Sequence, residues 1–371
     1  MAATREPGAL GRGELPAEGT DMTSDRIGWG VIGTGDVASS FARDIALLPD
    51  EARLAAVGSR DPARARDFAD RHGFGAAYGS YAELVADPGV DIVYVATPHS
   101  DHLESARLAL RADRPVLVEK PLTLNAHETG ELLELARARG LFLMEAVWMR
   151  TSPLIRRAAE LVAAGEIGQL RHVAADFGFA FAGPDSHRLL DPAVGGGAVL
   201  DLGVYPVHAV NLFLGEPTDL HAFGSTARTG VESHTAALLT YAATADRPPA
   251  TATVICSLET TMPSSLEIYG TRGRIMIDRF FLRPAEMAVF RGTDPDTEPE
   301  VMITQWPGGG YTFEAQEVMR CLRAGTSESP LVPWADTRAV ARTLDRWLAA
   351  VGSPLAATRP AVDADTEPTA S

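Results

Sequence analysis

The sequence predicts a two-domain protein in which an α/β half with a parallel sheet precedes an α+β half with a mainly antiparallel sheet. Its length, 371 residues, exceeds what a single hydrophobic core usually organises. Up to Trp148, short apolar strand patterns alternate with helical patterns, as in a parallel sheet. Beyond Trp148, extended patterns follow one another without helices between them. We therefore expect one domain at residues 26–149 and a second at residues 150–351.

Both ends of the chain are predicted to lie outside these domains. Residues 1–25 combine glycines, prolines and acidic residues, and they lack the apolar segment of a secretion signal. We expect a disordered extension there, with Met22 as an alternative start. Residues 352–371 are expected to form a loose tail.

The first predicted strand, Gly28–Ile32, leads directly into a glycine-rich turn. The turn is Gly33-Thr34-Gly35-Asp36-Val37-Ala38, which fits G-x-G-x-x-A, and a helical spacing of apolar residues follows it (Val37, Phe41, Ile45 and Leu48). The first glycine permits a tight turn, and the second lets a pyrophosphate approach the backbone at a helix N-terminus. A plain tight turn has the same glycines, but strand, turn and helix in this order predict a Rossmann-type, doubly wound dinucleotide-binding domain.

The end of the second predicted strand, Leu54–Gly58, indicates which dinucleotide is bound. An NAD enzyme usually has an acidic residue there, whereas an arginine suits the 2′-phosphate of NADP. This chain has Ser59 and Arg60 at that point, with Arg64 one helical turn later. Asp61 precedes a proline and is expected to cap the next helix. The pattern favours NADP over NAD, the alternative being that both arginines belong to a solvated helix start.

Further cofactor contacts are expected where later strands end at the same sheet edge. The strand Val90–Ala96 runs into the loop Thr97–His102, and Val116–Glu119 runs into Lys120-Pro121, a candidate cis peptide bond. Helix and strand patterns after this point complete the alternation. The residues expected to contact the cofactor are Gly33, Thr34, Gly35, Asp36, Val37, Ser59, Arg60, Arg64, Thr97, Pro98, His102, Glu119 and Lys120.

The second half begins with a predicted helix, Pro153–Ala164, and a long strand, Leu170–Phe181. Five extended stretches follow, with a hairpin turn expected between the last two: Leu220–Ser225, Thr235–Tyr241, Ala252–Leu258, Ser265–Tyr269 and Arg274–Ile277. Closing helices are expected at Phe313–Ala324 and Thr337–Val351. A mainly antiparallel sheet needs a cover for its second face, and self-association is one solution.

Within the second half, the glycine-rich segment 195–206 contains Asp201 and Tyr205, four residues apart. On a helix this spacing puts both side chains on one face, and Pro206 is expected to kink that helix. Spacing alone favours a structural pair in which the Tyr205 hydroxyl bonds to Asp201. With Lys120 at the crevice, however, the phenol and the carboxylate form a set able to handle a proton at a hydroxyl or carbonyl.

The composition restricts the classes of function. A formal net charge of −16 argues against a nucleic-acid or anionic-membrane surface, which requires a basic patch. No apolar stretch approaches the roughly 20 residues of a membrane span. Two cysteines without motif spacing, Cys256 and Cys321, suit a reducing cytoplasm and form no zinc motif. His99-x-x-His102 has a ligand-like spacing, but we expect no metal there.

These motifs resemble the glucose–fructose oxidoreductase/inositol dehydrogenase family over about residues 26–350. The resemblance is carried by Gly33-Thr34-Gly35, Thr97-Pro98 with His102, Glu119-Lys120-Pro121, and Asp201 after a triple glycine. Stretches similar to its dimeric dihydrodiol dehydrogenase and NADP-dependent D-xylose dehydrogenase branch are Phe142–Trp148, Asp176–Phe179 and Gly195–Pro206. That branch has tyrosine where many members have histidine, and Tyr205 follows it.

The resemblance implies an NADP-dependent oxidoreductase that transfers a hydride between the nicotinamide and a hydroxyl or carbonyl of a polyol, sugar or cyclic diol. Tyr205 would be the base in oxidation, with Lys120 lowering its pKa and Asp201 orienting either Lys120 or a substrate hydroxyl. The resemblance also implies a homodimer through the C-terminal sheet and a substrate pocket lined by His102, Trp148, Arg171 and Phe177. The alternative is a non-catalytic protein of the same fold that senses NADP(H).

Overall fold

The fold is described from a computed structural model, for residues 26–245 and 247–357. The predictions for residues 1–25 and for the tail beyond residue 357 lie outside the described residues. Within the described ranges the chain forms two β-sheets, one parallel and one mainly antiparallel. The predicted fold class is therefore confirmed.

The first sheet is built from six parallel strands: β1 (Ile27–Ile32), β2 (Ala52–Gly58), β3 (Ala76–Tyr78), β4 (Ile92–Val95), β5 (Val116–Glu119) and β6 (Leu143–Ala146). Its helices are α1 (Asp36–Ile45), α2 (Pro62–His72), α3 (Tyr81–Ala86), α4 (His102–Arg111) and α5 (Ala126–Arg139). The spatial order β3-β2-β1-β4-β5-β6 changes direction between β1 and β4. Ligands of doubly wound sheets bind at this switch point, outside the carboxyl ends of the strands.

The start of α2 follows the predicted local chemistry. The Asp61 carboxylate accepts hydrogen bonds from the backbone N–H groups of Ala63 and Arg64, at 2.9 and 3.3 Å. Pro62 occupies the first helical position, where its missing N–H costs nothing. Asp61 is therefore committed to capping, and Arg60 and Arg64 flank the capped turn.

The second sheet is built from β7 (Leu170–Gly178), β8 (Asp219–Thr226), β9 (Glu232–Tyr241), β10 (Ala250–Ser257), β11 (Leu266–Gly270), β12 (Gly273–Ile277), β13 (Glu286–Arg291) and β14 (Glu300–Ile303). The remaining helices are α6 (Pro153–Ala163), α7 (Val204–Leu214), α8 (Thr312–Arg323), α9 (Trp334–Ala350) and α10 (Pro354–Ala357). The order is β14-β13-β12-β11-β7-β10-β9-β8, antiparallel except for β7 with β10. The predicted hairpin turn is confirmed, but β13 and β14 escaped prediction.

The two faces of this sheet have different surroundings. Helix α7 packs on β7 and β10, and α9 packs on α7 and β8. The opposite face lies open in the monomer and carries large apolar side chains: Phe223, Leu238, Val301 and Ile303. Phe223 is 85% exposed. Burial of such a patch against another surface would remove apolar area from water.

The segment Pro192–Leu214 corrects two expectations. It is long and apolar enough to span a membrane, but 89% of its most apolar window is buried inside the fold, the position of a core helix. The disturbance expected at Pro206 takes another form, because the backbone stays helical from Ala198 to Leu214 and Pro206 lies inside this run. The irregularity comes earlier, as a π-helical turn at Val199–Gly203 that carries Asp201.

One smaller expectation, the loose tail from residue 352, also needs correction. The start of the predicted loose tail is ordered into α10, and both Ser353 and Leu355 are buried. α10 packs against α9, so the folded part continues past the predicted boundary at residue 351.

Candidate active site

Lys120 lies at the carboxyl end of β5, and its peptide bond to Pro121 is cis, as predicted. The Lys120 side chain is mostly buried, and its ammonium donates a hydrogen bond to the backbone carbonyl of Asp201 at 2.7 Å. The same nitrogen is 3.6 Å from the Asp201 carboxylate. The structure therefore brings together the two residues that are 81 positions apart in sequence.

Asp201 is the centre of a compact set of charged and polar groups. Its Oδ1 atom is 3.1 Å from the Arg188 guanidinium and 3.5 Å from Nε2 of His99. Burial by itself would raise the pKa of Asp201, but the ammonium of Lys120 and the guanidinium of Arg188 outweigh burial and hold that pKa well below its usual range. Asp201 is therefore ionised. We call Lys120, Asp201, Arg188, His99 and Tyr205 the Lys120 cluster.

His99 contributes to this cluster as a neutral side chain. Burial lowers the pKa of His99 to about 3, although Asp201 acts in the opposite direction. Its second ring nitrogen, Nδ1, lies 3.1 Å from the carbonyl of Gly195, at the start of the glycine-rich segment. A neutral imidazole has one N–H, so it donates to only one of these two acceptors at a time.

Tyr205 lies in the first turn of α7 and is buried. The Lys120 ammonium sits over the face of its ring, 4.9 Å from the ring centroid, in a cation–π contact. Burial raises the pKa of Tyr205 well above its usual value, and Glu119, Tyr311 and Asp201 raise it further. The expectation of a lowered pKa at Tyr205 does not hold for the protein without cofactor, because burial dominates there. Lys120 contacts the ring face.

The predicted hydrogen bond between Tyr205 and Asp201 is also absent from the described residues. Asp201 lies in the π-helical turn, whereas Tyr205 belongs to the following α-helical turn, so the simple four-residue alignment does not apply. The Asp201 carboxylate instead pairs with the Lys120 ammonium and the Arg188 guanidinium. The carboxylate therefore acts on Lys120 and not on the phenol.

A buried carboxyl group lies directly before Lys120. Glu119 accepts a hydrogen bond from the Tyr94 hydroxyl, and burial raises the pKa of Glu119 in spite of that bond. Glu314 of α8 is fully buried, and neither of its carboxyl oxygens has a hydrogen-bond partner among the described residues. Burial, followed by the charge of Glu119, raises the pKa of Glu314 well above its usual range. Burial therefore favours the protonated, uncharged form of Glu314.

Aromatic side chains border the Lys120 cluster. Trp148 and Tyr311 stack with ring centroids 5.4 Å apart. The Phe177 ring approaches Tyr205 edge-on at 5.7 Å and Phe280 at 6.3 Å. Trp148 and Phe177 were both expected to line the substrate pocket, and the structure brings Phe177 against Tyr205. The indole N–H of Trp148 lies close enough to the Tyr205 hydroxyl to lower the pKa of that hydroxyl against the larger effect of burial, although no well-aligned hydrogen bond joins them.

The glycine turn has the shape that a pyrophosphate needs. Gly33 has φ = +112°, and a Cβ there would lie 2.5 Å from the carbonyl of Ala96, so only glycine fits. A Cβ on Gly35 would meet nothing within 4 Å, which means that the turn opens toward the crevice. No side chain caps the N-terminus of α1. Its free N–H groups, and a buried Thr97 hydroxyl without a partner in the described ranges, suit a bound dinucleotide.

Arg60 and Arg64 lie together at the end of β2. Both guanidinium groups act on the hydroxyl of Tyr81, lowering its pKa against the larger effect of burial. Arg60 is also 3.4 Å from Asp101, but its side chain is 75% exposed, and such a surface pair contributes little. Guanidinium groups of this kind bind phosphate well, and both of these act at the end of β2, next to Ser59.

Two expected ligand contacts are corrected by the structure. His102 is fully buried, and its ring nitrogens lie 2.9 Å from the carbonyl of Pro121 and 3.0 Å from that of Thr97. It therefore connects the two loops of the crevice and does not face a ligand. Arg171 is exposed near the start of β7, six residues before Phe177 and about 20 Å from it in an extended strand. It lies too far away to line the pocket.

The two histidines of the candidate metal spacing, His99-x-x-His102, direct their ring nitrogens at other protein groups. Three of the four ring nitrogens face backbone carbonyls, and the fourth faces Asp201. Within residues 26–245 and 247–357, no three His, Cys, Asp or Glu side chains are grouped so that they could hold a metal ion.

Comparison with known proteins matches this arrangement to one family. Residues 27–147 match the oxidoreductase family with an NAD-binding Rossmann fold, and residues 155–276 match the GFO/IDH/MocA C-terminal domain. The chain belongs to the GFO/IDH/MocA oxidoreductase family. The predicted family resemblance is therefore confirmed, and the chain has the NAD(P)-binding fold of these oxidoreductases.

Several GFO/IDH/MocA relatives are similar along nearly their whole length. The trans-1,2-dihydrobenzene-1,2-diol dehydrogenase of Mus musculus is 35% identical over 332 residues, covering 87% of this chain and 96% of the relative. The D-xylose 1-dehydrogenase (NADP⁺) of Hypocrea jecorina is 36% identical, covering 86% and 90%. The 3-ketoreductase KijD10 of Actinomadura kijaniata, solved with NADP and TDP-benzene, is 30% identical with a TM-score of 0.74, covering 88% and 98%.

Sequence reasoning missed three members of this GFO/IDH/MocA site. Arg188 and His99 approach Asp201 from distant segments, and no spacing signal connects either one to it. Tyr311 lies on the loop before α8, which the pattern shows only as a turn. Gly309-Gly310 before Tyr311 is the one available signal, because consecutive glycines indicate a tight approach to another part of the chain.

Proposed function

We propose that this chain is an NADP-dependent dehydrogenase or reductase that acts on a hydroxyl or carbonyl of a sugar or cyclic diol. Lys120 and Tyr205 are its proton-handling residues, and Asp201 positions Lys120. The observation that carries the proposal is the contact of the Lys120 ammonium with both the Tyr205 ring and Asp201, at the ligand-binding edge of the parallel sheet. The proposal keeps the predicted division of the chain near residue 149.

NADP is the proposed cofactor because the guanidinium groups of Arg60 and Arg64 both lie near enough to act on the Tyr81 hydroxyl, at the end of β2 where Ser59 stands. Asp61, the candidate acidic residue, accepts the helix-capping hydrogen bonds. Two relatives support this choice by name, the NADP⁺ D-xylose dehydrogenase and the 3-ketoreductase solved with NADP. The remaining contacts proposed for the dinucleotide are the glycine turn with Asp36 and Val37, the loop residues Thr97 and Pro98, and Glu119.

The chemistry of the cluster follows from its charges. The bound nicotinamide supplies or accepts the hydride. Because the pKa of Tyr205 is raised, its hydroxyl carries a proton and can donate it to a substrate oxygen in the reductive direction. Lys120 holds the same oxygen with a fixed positive charge, and Asp201 keeps the ammonium in place. In the oxidative direction the substrate proton passes to Tyr205 as tyrosinate, so the phenol must first release its own proton to solvent.

The substrate class follows from the aromatic border and the relatives. Trp148, Tyr311, Phe177 and Phe280 offer flat apolar faces, which stack against the C–H faces of sugars and cyclic diols. The named substrates of the two curated relatives, a dihydrobenzene diol and D-xylose, are both ring-forming polyols. We therefore propose a small cyclic polyol.

The assembly and location are further parts of the proposal. A homodimer through the open face of the second sheet would bury Phe223, Leu238, Val301 and Ile303. A cytoplasmic location suits the two buried cysteines, which form no disulfide with each other. Light scattering coupled to size exclusion measures the mass, and Phe223→Asp is expected to halve it if the sheet face is the interface.

The test of function is an absorbance screen at the NADPH band with aldoses, inositols, cyclic diols and keto-sugars, run in parallel with NAD(H). Turnover of at least one ring polyol, faster with NADP than with NAD, is the expected result. Tight NADPH binding without turnover of any compound would favour the sensor alternative. A clear preference for NAD would contradict the role of Arg60 and Arg64.

A further inference from the structure

Glu145 connects the segment that carries Lys120 with the helix that carries Tyr205. It lies in β6 and is 3% exposed. Its Oε1 atom accepts a hydrogen bond of 3.0 Å from the backbone N–H of Leu122, two residues after Lys120. Its Oε2 atom is 3.2 Å from Nε2 of His208. His208 follows Tyr205 by three residues, so it lies one turn along α7.

The contact between Glu145 and His208 is electrostatic and lacks an aligned hydrogen bond. Glu145 Oε2 and both nitrogens of His208 have no hydrogen-bond partner among the described residues. His208 is completely buried, so neither group reaches water. Burying a carboxylate in such surroundings costs free energy unless a polar partner compensates for the lost water. His208 Nε2, 3.2 Å from Oε2, is in position to be that partner.

The same turn of α7 is also held through its backbone. Arg150 is buried, and its guanidinium donates to the carbonyl of His208 at 3.4 Å while pairing with Asp336. The backbone of the turn is therefore anchored by Arg150, and its side chain by Glu145. Together these contacts leave α7 little freedom to slide past the end of β5.

We propose that Glu145 and His208 are positioning residues that set the separation between the Lys120 ammonium and the Tyr205 ring. They contact neither substrate nor cofactor and act only through Lys120 and Tyr205. The inference rests on the proposed function for its effect on turnover, but its geometrical part concerns the protein alone. A shift of about 1 Å in a reacting group costs about 100-fold in rate.

The sequence supplies an unusual reporter for that geometry. Lys120 is the only lysine among the 371 residues. Protein grown with lysine labelled by ¹³C at the ε carbon therefore gives a single side-chain NMR signal. Because the ammonium sits 4.9 Å from the Tyr205 ring centroid, the ε protons experience the ring current of Tyr205. The variant Tyr205→Leu gives the reference position of the signal without that ring.

His208→Leu removes the contact and keeps a side chain of similar bulk. We expect the Lys120 signal to move toward the Tyr205→Leu reference and kcat to fall about 10- to 100-fold, with NADPH affinity within about twofold. His208→Gln retains a donor near Nε2 and is expected to recover most of kcat. In the Tyr205→Phe background, His208→Leu is expected to slow the residual rate by less than about threefold, because the affected group is already gone.

A purely structural role makes different predictions. His208→Leu leaves the buried Glu145 carboxyl group without its polar neighbour. The double variant Glu145→Gln/His208→Leu removes that carboxyl group and should recover thermal stability. If the two residues only stabilise the fold, kcat and the Lys120 signal return to wild-type values in the double variant together with its stability. If they position Lys120 and Tyr205, kcat and the Lys120 signal stay altered in that variant. Trp334→Phe is the matched control, because the Trp334 indole joins α9 to β6 by a buried 2.9 Å bond to Leu143 without touching either catalytic segment.

The proposal is overturned if His208→Leu and the double variant leave the Lys120 signal at its wild-type position. It is also overturned if the signal moves in Trp334→Phe as much as in His208→Leu. The NMR measurement needs no substrate. Failure of the proposed function, seen as no turnover by the wild-type protein, is therefore distinguishable from failure of this inference.

Discussion

The dinucleotide crevice and the Lys120 cluster lie at the same sheet edge but are held together differently. The crevice presents backbone groups, namely the turn Gly33–Gly35 and the uncapped start of α1, with two exposed arginines at its far end. The cluster is made of buried side chains whose charges compensate one another around Asp201. Changes in the crevice should therefore alter binding, whereas changes in the cluster should alter chemistry and stability.

The largest effect is expected when the proton-handling groups are removed. Tyr205→Phe and Lys120→Met should each lower kcat by about 10²–10⁴-fold, because each removes a positioned proton donor or its supporting charge. NADPH affinity, measured by fluorescence titration, should stay within about threefold, since the crevice backbone is unchanged. If either variant turns over near the wild-type rate, that residue has no part in the mechanism. The distinction between a crevice that binds and a cluster that carries the chemistry would then fail for that residue.

At the opposite end of the crevice, Arg60→Ala with Arg64→Ala should raise the KM for NADP about 10- to 100-fold, because charge-assisted hydrogen bonds to a phosphate are lost. The KM for NAD and the value of kcat are the internal controls, and both should change less than about threefold. Steady-state kinetics with both cofactors measures this. An equal rise for NAD would show that the arginines support the fold and not the 2′-phosphate.

Asp201→Asn tests the buried charges through pH. The pKa of Asp201 is lowered by folding, so its ionised form stabilises the protein above the usual value of 3.8, and that contribution disappears as pH falls below it. The difference in unfolding free energy between wild type and variant should be about 2 kcal/mol at pH 7 and shrink below pH 4, as measured by denaturant titration. Asp185→Asn, at an exposed pair with Arg228, should give less than about 0.5 kcal/mol at any pH.

A smaller effect is expected at the loop that supports the aromatic border. Asp44 of α1 accepts the backbone N–H groups of Gly309, Gly310 and Tyr311 at 2.7, 2.8 and 2.7 Å. Asp44→Asn leaves at least one of these donors without an acceptor, so Tyr311 loosens against Trp148. The substrate KM should rise about 3- to 10-fold with little change in NADPH affinity. A rise in the dissociation constant for NADPH alone would contradict this assignment.

Most of the first sheet could be predicted because its signals are local. The glycine turn, the Asp61 cap and the cis-proline position follow from residues that are neighbours in sequence. The second sheet was predicted only to β12, because β13 and β14 are short and half exposed, so their apolar pattern is weak. The structure brings together the residues predicted to be catalytic, Lys120, Asp201 and Tyr205, whereas the supporting contacts of Arg188 and His99 were not predicted.

The error on Tyr205 has a physical origin. Sequence shows that a lysine and a tyrosine meet, but not whether the ammonium approaches the hydroxyl or the ring face. An ammonium beside the hydroxyl lowers the pKa of the phenol. An ammonium over the ring face does not outweigh burial and the nearby carboxyl groups, which raise that pKa. His102 and Arg171 failed for a related reason, since burial and distance along a strand are consequences of the tertiary fold.

Helix α1 joins the two functions of the crevice in a single rigid rod. Its first turn belongs to the proposed dinucleotide site, and Asp44 near its last turn holds the loop that presents Tyr311. These partners lie more than 260 positions apart in the chain, as 44 and 309–311. Chimaeras that exchange the parallel-sheet half between relatives must therefore take Asp44 and the Gly309–Tyr311 loop from the same parent. A mismatched pair is expected to disturb the aromatic border around the substrate and to leave cofactor binding intact.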